Sequence, residues 1–242
     1  MRNPWLIGIG VLVVFAVSCT DGGGPVGAPA PPETTNVRQT QPPTRIQPPT
    51  NEATNTMVDA VEGDLDGDGQ LDSVSLPEQT DYTVVVRVEL SSGSTTTLEV
   101  SATPGALIGT SDVNGDGRDE VFLHAGGAST ALVTLLTLDE NDRLRQVTID
   151  AGDHLDPFQF HAGSSMGASL GAFCENARLH LRTFRRDSRP EGGFIESGAL
   201  TEQVYEIEGT RAVLISQDDR RLDEEPFGLA TIQCPGVLFP GA

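Results

Sequence analysis

The sequence predicts an all-β fold assembled from small repeated units, and three observations carry that expectation. The acidic stretch Asp64-Leu65-Asp66-Gly67-Asp68-Gly69-Gln70-Leu71-Asp72 is echoed 48 residues on by Asp112-Val113-Asn114-Gly115-Asp116-Gly117-Arg118-Asp119. After each comes a short run, Val74-Ser75-Leu76 or Glu120-Val121-Phe122-Leu123, whose β-branched and aromatic residues suit a strand. Between the two stretches the apolar pattern has period two. Val84, Val86, Val88 and Leu90 share one face, and Arg87 and Glu89 the other.

From the N-terminus, Met1 to Cys19 has the features of an export signal. Arg2 supplies the positive start, and the apolar run Trp5–Val17, 13 residues, falls short of the about 20 that a bilayer span needs. It ends in Ala16-Val17-Ser18-Cys19, which resembles a bacterial lipobox, where cleavage precedes the cysteine and its thiol is lipidated. The resemblance implies a protein of the bacterial cell envelope, held to the membrane at Cys19 without a transmembrane helix. The alternative is an ordinary secretory peptide with an incidental cysteine.

Residues 20–57 form a linker rich in Pro, Thr, Gln and Gly, with too little apolar surface to offset the entropy of ordering. Its proline pairs favour extended chain at roughly 3.1 Å per residue, a reach on the order of 100 Å. Gly22 to Gly27 spells G-x-G-x-x-G, but no strand precedes it and no helix follows, so a dinucleotide site is not supported.

Residues 58–239 are long enough for one domain with its own core. Val84–Leu90 turns through Ser91-Ser92-Gly93-Ser94 into Thr95–Val100. Ala106–Thr110 then leads into the second acidic loop, and Glu120–Ala125, Ala131–Leu138 and Arg143–Ile149 follow it. Strand, acidic loop, strand, hairpin, strand, turn, strand thus occurs twice, as expected of a stacked β-repeat. Beyond Asp150 the pattern loosens. Gly163–Gly171 suits a loop or a close-packed strand, Ala177–Phe184 a strand, and Gln203–Ile207 with Arg211–Ile215 a hairpin. Asp218-Asp219 and Asp223-Glu224-Glu225 suit a polar turn.

The acidic loops have the chemistry of a hard cation site. Ca²⁺ takes six to eight oxygens, and alternate side chains on a tight loop supply them, with Gly69 and Gly117 permitting the sharp turn. Asp64, Asp66, Asp68 and Asp72, with the Gln70 carbonyl, make the first candidate set. Asp112, Asn114, Asp116 and Asp119, with the Arg118 carbonyl, make the second. An EF-hand would place a Glu at the twelfth position and a helix beyond; here that position is Ser75 or Leu123 and a strand pattern follows. A dockerin pair would also continue into helices.

These loops with their strands, Gly63 to Gly69 and Ser111 to Val121, resemble FG-GAP/VCBS-type repeats of the integrin-α kind. The resemblance implies a β-propeller-like arrangement in which such loops hold Ca²⁺ between strands of a blade. It also implies adhesion to an extracellular protein or glycan. Counting units along the chain gives about three to four small blades in an open or irregular arrangement. Asp150–Asp156 and Asp218–Asp223 lack the D-G-D-G core of a third loop.

With Cys19 lipidated, Cys174 and Cys234 remain, and an exported pair is expected to bridge. The formal net charge of -20, with every basic residue an Arg, disfavours nucleic acid and anionic lipid as partners. Gly163-Ser164-Ser165-Met166-Gly167 matches G-x-S-x-G, but the only later histidine is His180 and no Asp lies between them. His124, His154, His161 and His180 lack the spacing of a metal motif. The expected function is therefore a non-enzymatic, surface-anchored Ca²⁺-binding module for binding or display, the ion structural. The competing expectation is an exported hydrolase carrying a repeat-type β domain.

Overall fold

The computed structural model describes residues 60–103, 105–189 and 191–239. The export signal, Cys19 and the linker expected up to Met57 lie outside these residues. The described residues are all-β, with no helix among them.

Four strands form one antiparallel sheet in chain order: β1 (Ala60–Gly63), β2 (Asp72–Gln79), β3 (Thr83–Glu89) and β4 (Thr95–Ser101). The alternation in β3 does what its pattern predicts. Val84, Val86 and Val88 are buried, while Arg87 and Glu89 face solvent and pair with each other.

The second sheet has twelve strands. It begins with β5 (Ala106–Ser111), β6 (Glu120–Gly126), β7 (Ala131–Leu138), β8 (Leu144–Gln146), β9 (Thr148–Asp150) and β10 (Leu155–Pro157). It continues with β11 (Gln159–Ser165), β12 (Ala168–Cys174), β13 (Leu179–Ser188), β14 (Phe194–Glu208), β15 (Arg211–Leu222) and β16 (Ile232–Gln233). In space the order is β10-β9-β15-β14-β13-β12-β11-β7-β6-β5, with β8 beside β7 and β16 beside β12.

Strands β6 and β7 are covered on both faces. Val121, Leu123 and Leu136 pack with Val84, Val86 and Val88 of the first sheet. Phe122, Val133 and Leu135 pack on the other side with Phe158, Phe160, Leu179 and Tyr205. Burial on both faces explains why these strands are nearly continuous apolar runs rather than alternating ones. Each fully buried Leu or Phe there contributes about 1.5–3 kcal/mol.

Three expectations change. The stretch 143–149 is not one strand: the buried Val147 donates its N–H to the Leu135 carbonyl at 2.9 Å and accepts from the Phe158 N–H at 2.8 Å, breaking the run into β8 and β9. The first half of β7, Ala131–Thr134, pairs with β11, while Leu136–Leu138 pairs with β8. The sheet therefore runs on into β11–β15, and both sheets are open. Finally, Asp218 and Asp219 lie within β15 rather than in a turn, paired with Glu202 and Thr201 of β14. The Thr201 hydroxyl donates to Asp219 Oδ1 at 2.6 Å, and Gln203 Nε2 to Gln217 Oε1 at 3.0 Å. Cross-strand polar pairs of this kind hold a ladder that no apolar alternation advertises.

The segment 163–171 is a close-packed hairpin. A Cβ on Gly171 would stand 1.7 Å from the Leu229 carbonyl oxygen, so only glycine fits beneath the C-terminal segment. That segment is tied down by the expected Cys174–Cys234 disulfide and by parallel pairing of β16 with β12. It then reaches β5, where the Leu238 N–H donates to the Ile108 carbonyl at 2.7 Å.

Candidate metal-binding loops

The first loop joins β1 to β2 and the second joins β5 to β6, so each acidic stretch is held between paired antiparallel strands. Their internal bonds match atom for atom. Asp64 accepts the Gly67 and Gly69 N–H groups at 2.9 and 2.9 Å; Asp112 accepts those of Gly115 and Gly117 at 2.7 and 3.0 Å. Asp66 accepts the Asp68 N–H at 3.1 Å, and Asn114 that of Asp116 at 3.0 Å. Asp68 and Asp116 accept the N–H of Gln70 and Arg118, both at 2.8 Å. The path needs glycine at the fourth position as well as the sixth: Gly67 and Gly115 have φ of 77° and 75°.

The ends of the loops differ from the sequence-based expectation. Asp72 is buried and accepts the Leu65 N–H at 2.8 Å and the Ser91 N–H at 2.8 Å. The residue in its place in the second loop is Glu120, also buried, which accepts the Val113 N–H at 2.9 Å. Leu65 and Val113 are the matching apolar plugs at the second position, 2% and 0% exposed. Asp119 lies between the two loops: its Oδ2 accepts the Asp64 N–H at 3.1 Å, while the Asp112 backbone and charge also act on its carboxyl. Glu120 was visible in the sequence: aligning the copies without a gap sets it opposite Asp72, one residue beyond Asp119.

One carboxylate oxygen from each of Asp64, Asp66 and Asp72 lies within 4.8 Å of the others, the spacing of ligands about one ion. Asp68 stands outside this group, its Oδ2 held by the Ser91 hydroxyl at 2.9 Å and by Gln70 Nε2 at 3.1 Å. In the second loop Asn114 Nδ2 donates to Asp116 at 3.1 Å and to the Ile207 carbonyl at 3.1 Å, so its amide also ties the loop to β14.

Electrostatics reflect the crowding. Asp66 is raised above the usual carboxylate range, first by burial and then by Asp72, Asp68 and Asp64; the Asp68 N–H opposes this. Asp68 is lowered, chiefly by the Gln70 N–H and then by Ser91. Burial raises Asp119. Glu120 is pushed up to about 8, first by burial and then by Asp116, Asp112 and Asp119, against the Val113 N–H.

The other candidates are dispersed. The Ser165 hydroxyl donates to the Ala168 carbonyl at 3.4 Å. His180 pairs with Phe173, five positions from Ala168 along β12, a separation of roughly 17 Å. His180 instead bonds Glu202 at 3.1 Å and stacks on Phe173, while His154 contacts Asp153 and Asp156. Beside the second loop, Asp116, Arg118, Asp139, Asn141 and Thr210 line an open polar cleft of about 650 Å³.

Comparison with protein-family models, curated proteins and solved structures returned no match, so the functional reading rests on the geometry of the loops.

Proposed function

We propose that the chain is a non-enzymatic Ca²⁺-binding module for binding or display at the bacterial cell surface, its two loops taking structural ions. The observation that carries this reading is the convergence of Asp64, Asp66 and Asp72 within 4.8 Å on a loop whose bonding is repeated by the second. Three crowded carboxylates repel one another without a counter-ion, and a hard oxygen-seeking cation relieves that repulsion. In this reading Gln70 and Arg118 contribute carbonyls, and Glu120 joins Asp112, Asn114 and Asp116 at the second ion.

The strand-loop-strand units that carry the loops are read as propeller-blade-like repeats of the FG-GAP/VCBS type. Cys19 is read as the lipidated anchor, and the partner as an extracellular protein or glycan. The dispersal of Ser165 and His180 favours binding over the hydrolase reading.

Calorimetric titration of metal-stripped protein with Ca²⁺ tests the core of the proposal. Two binding events are expected, one lost in Asp66→Ala and the other in Asp116→Ala. No heat of binding at millimolar Ca²⁺ would refute it. Incorporation of labelled fatty acid into the wild type, lost in Cys19→Ala, tests the anchor.

A further inference from the structure

We propose that the outer edge of β15 is a self-association surface, on which a second copy of this chain docks through its own β15 and continues the sheet. Only Arg211 and Ala212 of β15 pair with β9. From Val213 to Leu222 the side away from β14 has no strand partner among the described residues, and Leu214 through Arg221 are all exposed. Such an edge presents a row of backbone N–H and C=O groups that another strand can pair with. A register shift at Val204 and Tyr205 leaves Ile215 as a bulge, so the regular stretch open to pairing is Ser216–Leu222.

Charge order selects the occupant. The stretch is Asp218-Asp219-Arg220-Arg221, acidic then basic. Two identical antiparallel strands related by a two-fold axis set one residue opposite itself and its neighbours opposite each other in reverse order. An axis at Asp219 places Asp218 of each copy opposite Arg220 of the other. An axis at Arg220 places Asp219 of each copy opposite Arg221 of the other. In both registers the single like-charged pair sits on the axis, with an opposite charge diagonal to it on the same face. A uniformly acidic or basic strand would instead meet two like charges, which directly opposed are destabilising.

The rest of the molecule sharpens the choice. At a formal net charge of -20 two copies repel, and the contact is most favourable where charge is locally balanced, as these two Asp and two Arg are. Arg220 and Arg221 also contact Glu202 and Asp187 of their own chain, across the sheet faces, which leaves the backbone edge open.

Sedimentation velocity on the full chain, carrying Cys19→Ala so that no lipid drives association, tests the proposal. The expected result is a concentration-dependent dimer. D218R/D219R makes the edge wholly basic and R220D/R221D makes it wholly acidic; each should weaken the dimer by at least about tenfold. An equimolar mixture of the two should restore a one-to-one heterodimer. Circular dichroism and thermal melting establish that each variant is folded. D218R/D219R gives up the Thr201 bond to Asp219 and the Arg220 contact to Asp218, both on exposed side chains, and, once shown to be folded, suffices alone if R220D/R221D misfolds. A monomeric wild type, meaning that the charges serve only to blunt the edge, would overturn the proposal. So would a dimer that tolerates D218R/D219R, or two folded variants that remain apart when mixed.

Discussion

Asp64 and Asp119 exchange two hydrogen bonds: the Asp64 N–H donates to Asp119 Oδ2 at 3.1 Å, and the Asp119 N–H to the Asp64 carbonyl at 2.7 Å. The first residue of one loop is thereby fixed to the eighth of the other. Truncating Asp119 leaves the half-buried Asp64 N–H without its acceptor. We expect Asp119→Ala to cost about 1–2 kcal/mol in urea denaturation with chelator present. Asp119→Asn, which keeps an acceptor oxygen, should recover most of the loss. If Asp119 served the fold only as a ligand, Asp119→Ala would leave the chelated protein unchanged and reduce only its response to Ca²⁺.

Asp66 and Asp72 belong to the same convergent group but differ in what else they hold. Asp66 bonds only the Asp68 N–H within its own loop, whereas Asp72 is buried and secures both Leu65 and Ser91. Asp66→Ala should therefore remove Ca²⁺ stabilisation while leaving the chelated melting temperature within a few degrees of wild type. Asp72→Ala should destabilise both states, by about 2 kcal/mol or more, because two N–H groups lose a charged acceptor. Differential scanning calorimetry with chelator and with Ca²⁺ separates the two outcomes. Equal effects of both substitutions on the chelated protein would contradict the distinction.

Much of this arrangement was legible in the residues. The glycines, the spaced carboxylates and the β-branched runs after them all reflect local rules, and local rules act over a few positions. What escaped is non-local. A gapless alignment of the loops sets Glu120 opposite Asp72, but that Asp119 reaches across to Asp64 follows only from how β5 and β6 bring the second loop beside the first. Likewise β7 divides its outer edge between β8 and β11, a choice made by packing around Val147 and Phe158. The expected hairpin of Gln203–Ile207 with Arg211–Ile215 is the near end of the β14–β15 ladder, but its continuation to Gly198 and Leu222 was hidden, because pairs such as Thr201 with Asp219 carry no apolar period.

Glu120 gives a pH dependence with a definite sign. Below about pH 4.5 the group is protonated in both the folded and the unfolded chain. As pH rises, the unfolded chain releases the proton first, because burial holds the folded group up to about 8. The metal-free fold therefore loses stability between these values as pH rises. Glu120→Gln removes the penalty. With chelator present the variant should match wild type near pH 4 and exceed it at pH 8, by on the order of 4 kcal/mol. With saturating Ca²⁺ the order should reverse, since Gln offers the ion no charge. A variant less stable than wild type at pH 8 in chelator would count against a buried neutral Glu120.

The Cys174–Cys234 bridge closes a loop across a sequence separation of 60 residues, for which chain entropy gives about 4 kcal/mol. Its reach extends beyond the bond itself. Four residues after Cys234, the Leu238 N–H donates to Ile108 of β5, and a Cβ on Gly109 would stand 2.3 Å from the Gly236 carbonyl. Strand β5 ends at Ser111, immediately before the second loop begins at Asp112. The bridge thus pins a segment that bears directly on the entry to the second loop and reaches the first only at one remove, through Thr110 to Glu62 and Asp119 to Asp64. Reduction, or Cys174→Ala/Cys234→Ala, should lower the melting temperature and speed hydrogen exchange along Ala106–Ser111 more than along Ala60–Gly63. Ca²⁺ affinity should fall at the second loop and hold at the first, read by titrating the reduced protein in the Asp66→Ala and Asp116→Ala backgrounds. Uniform loosening of both loops, or none at either, would show that the tail does not support the second site.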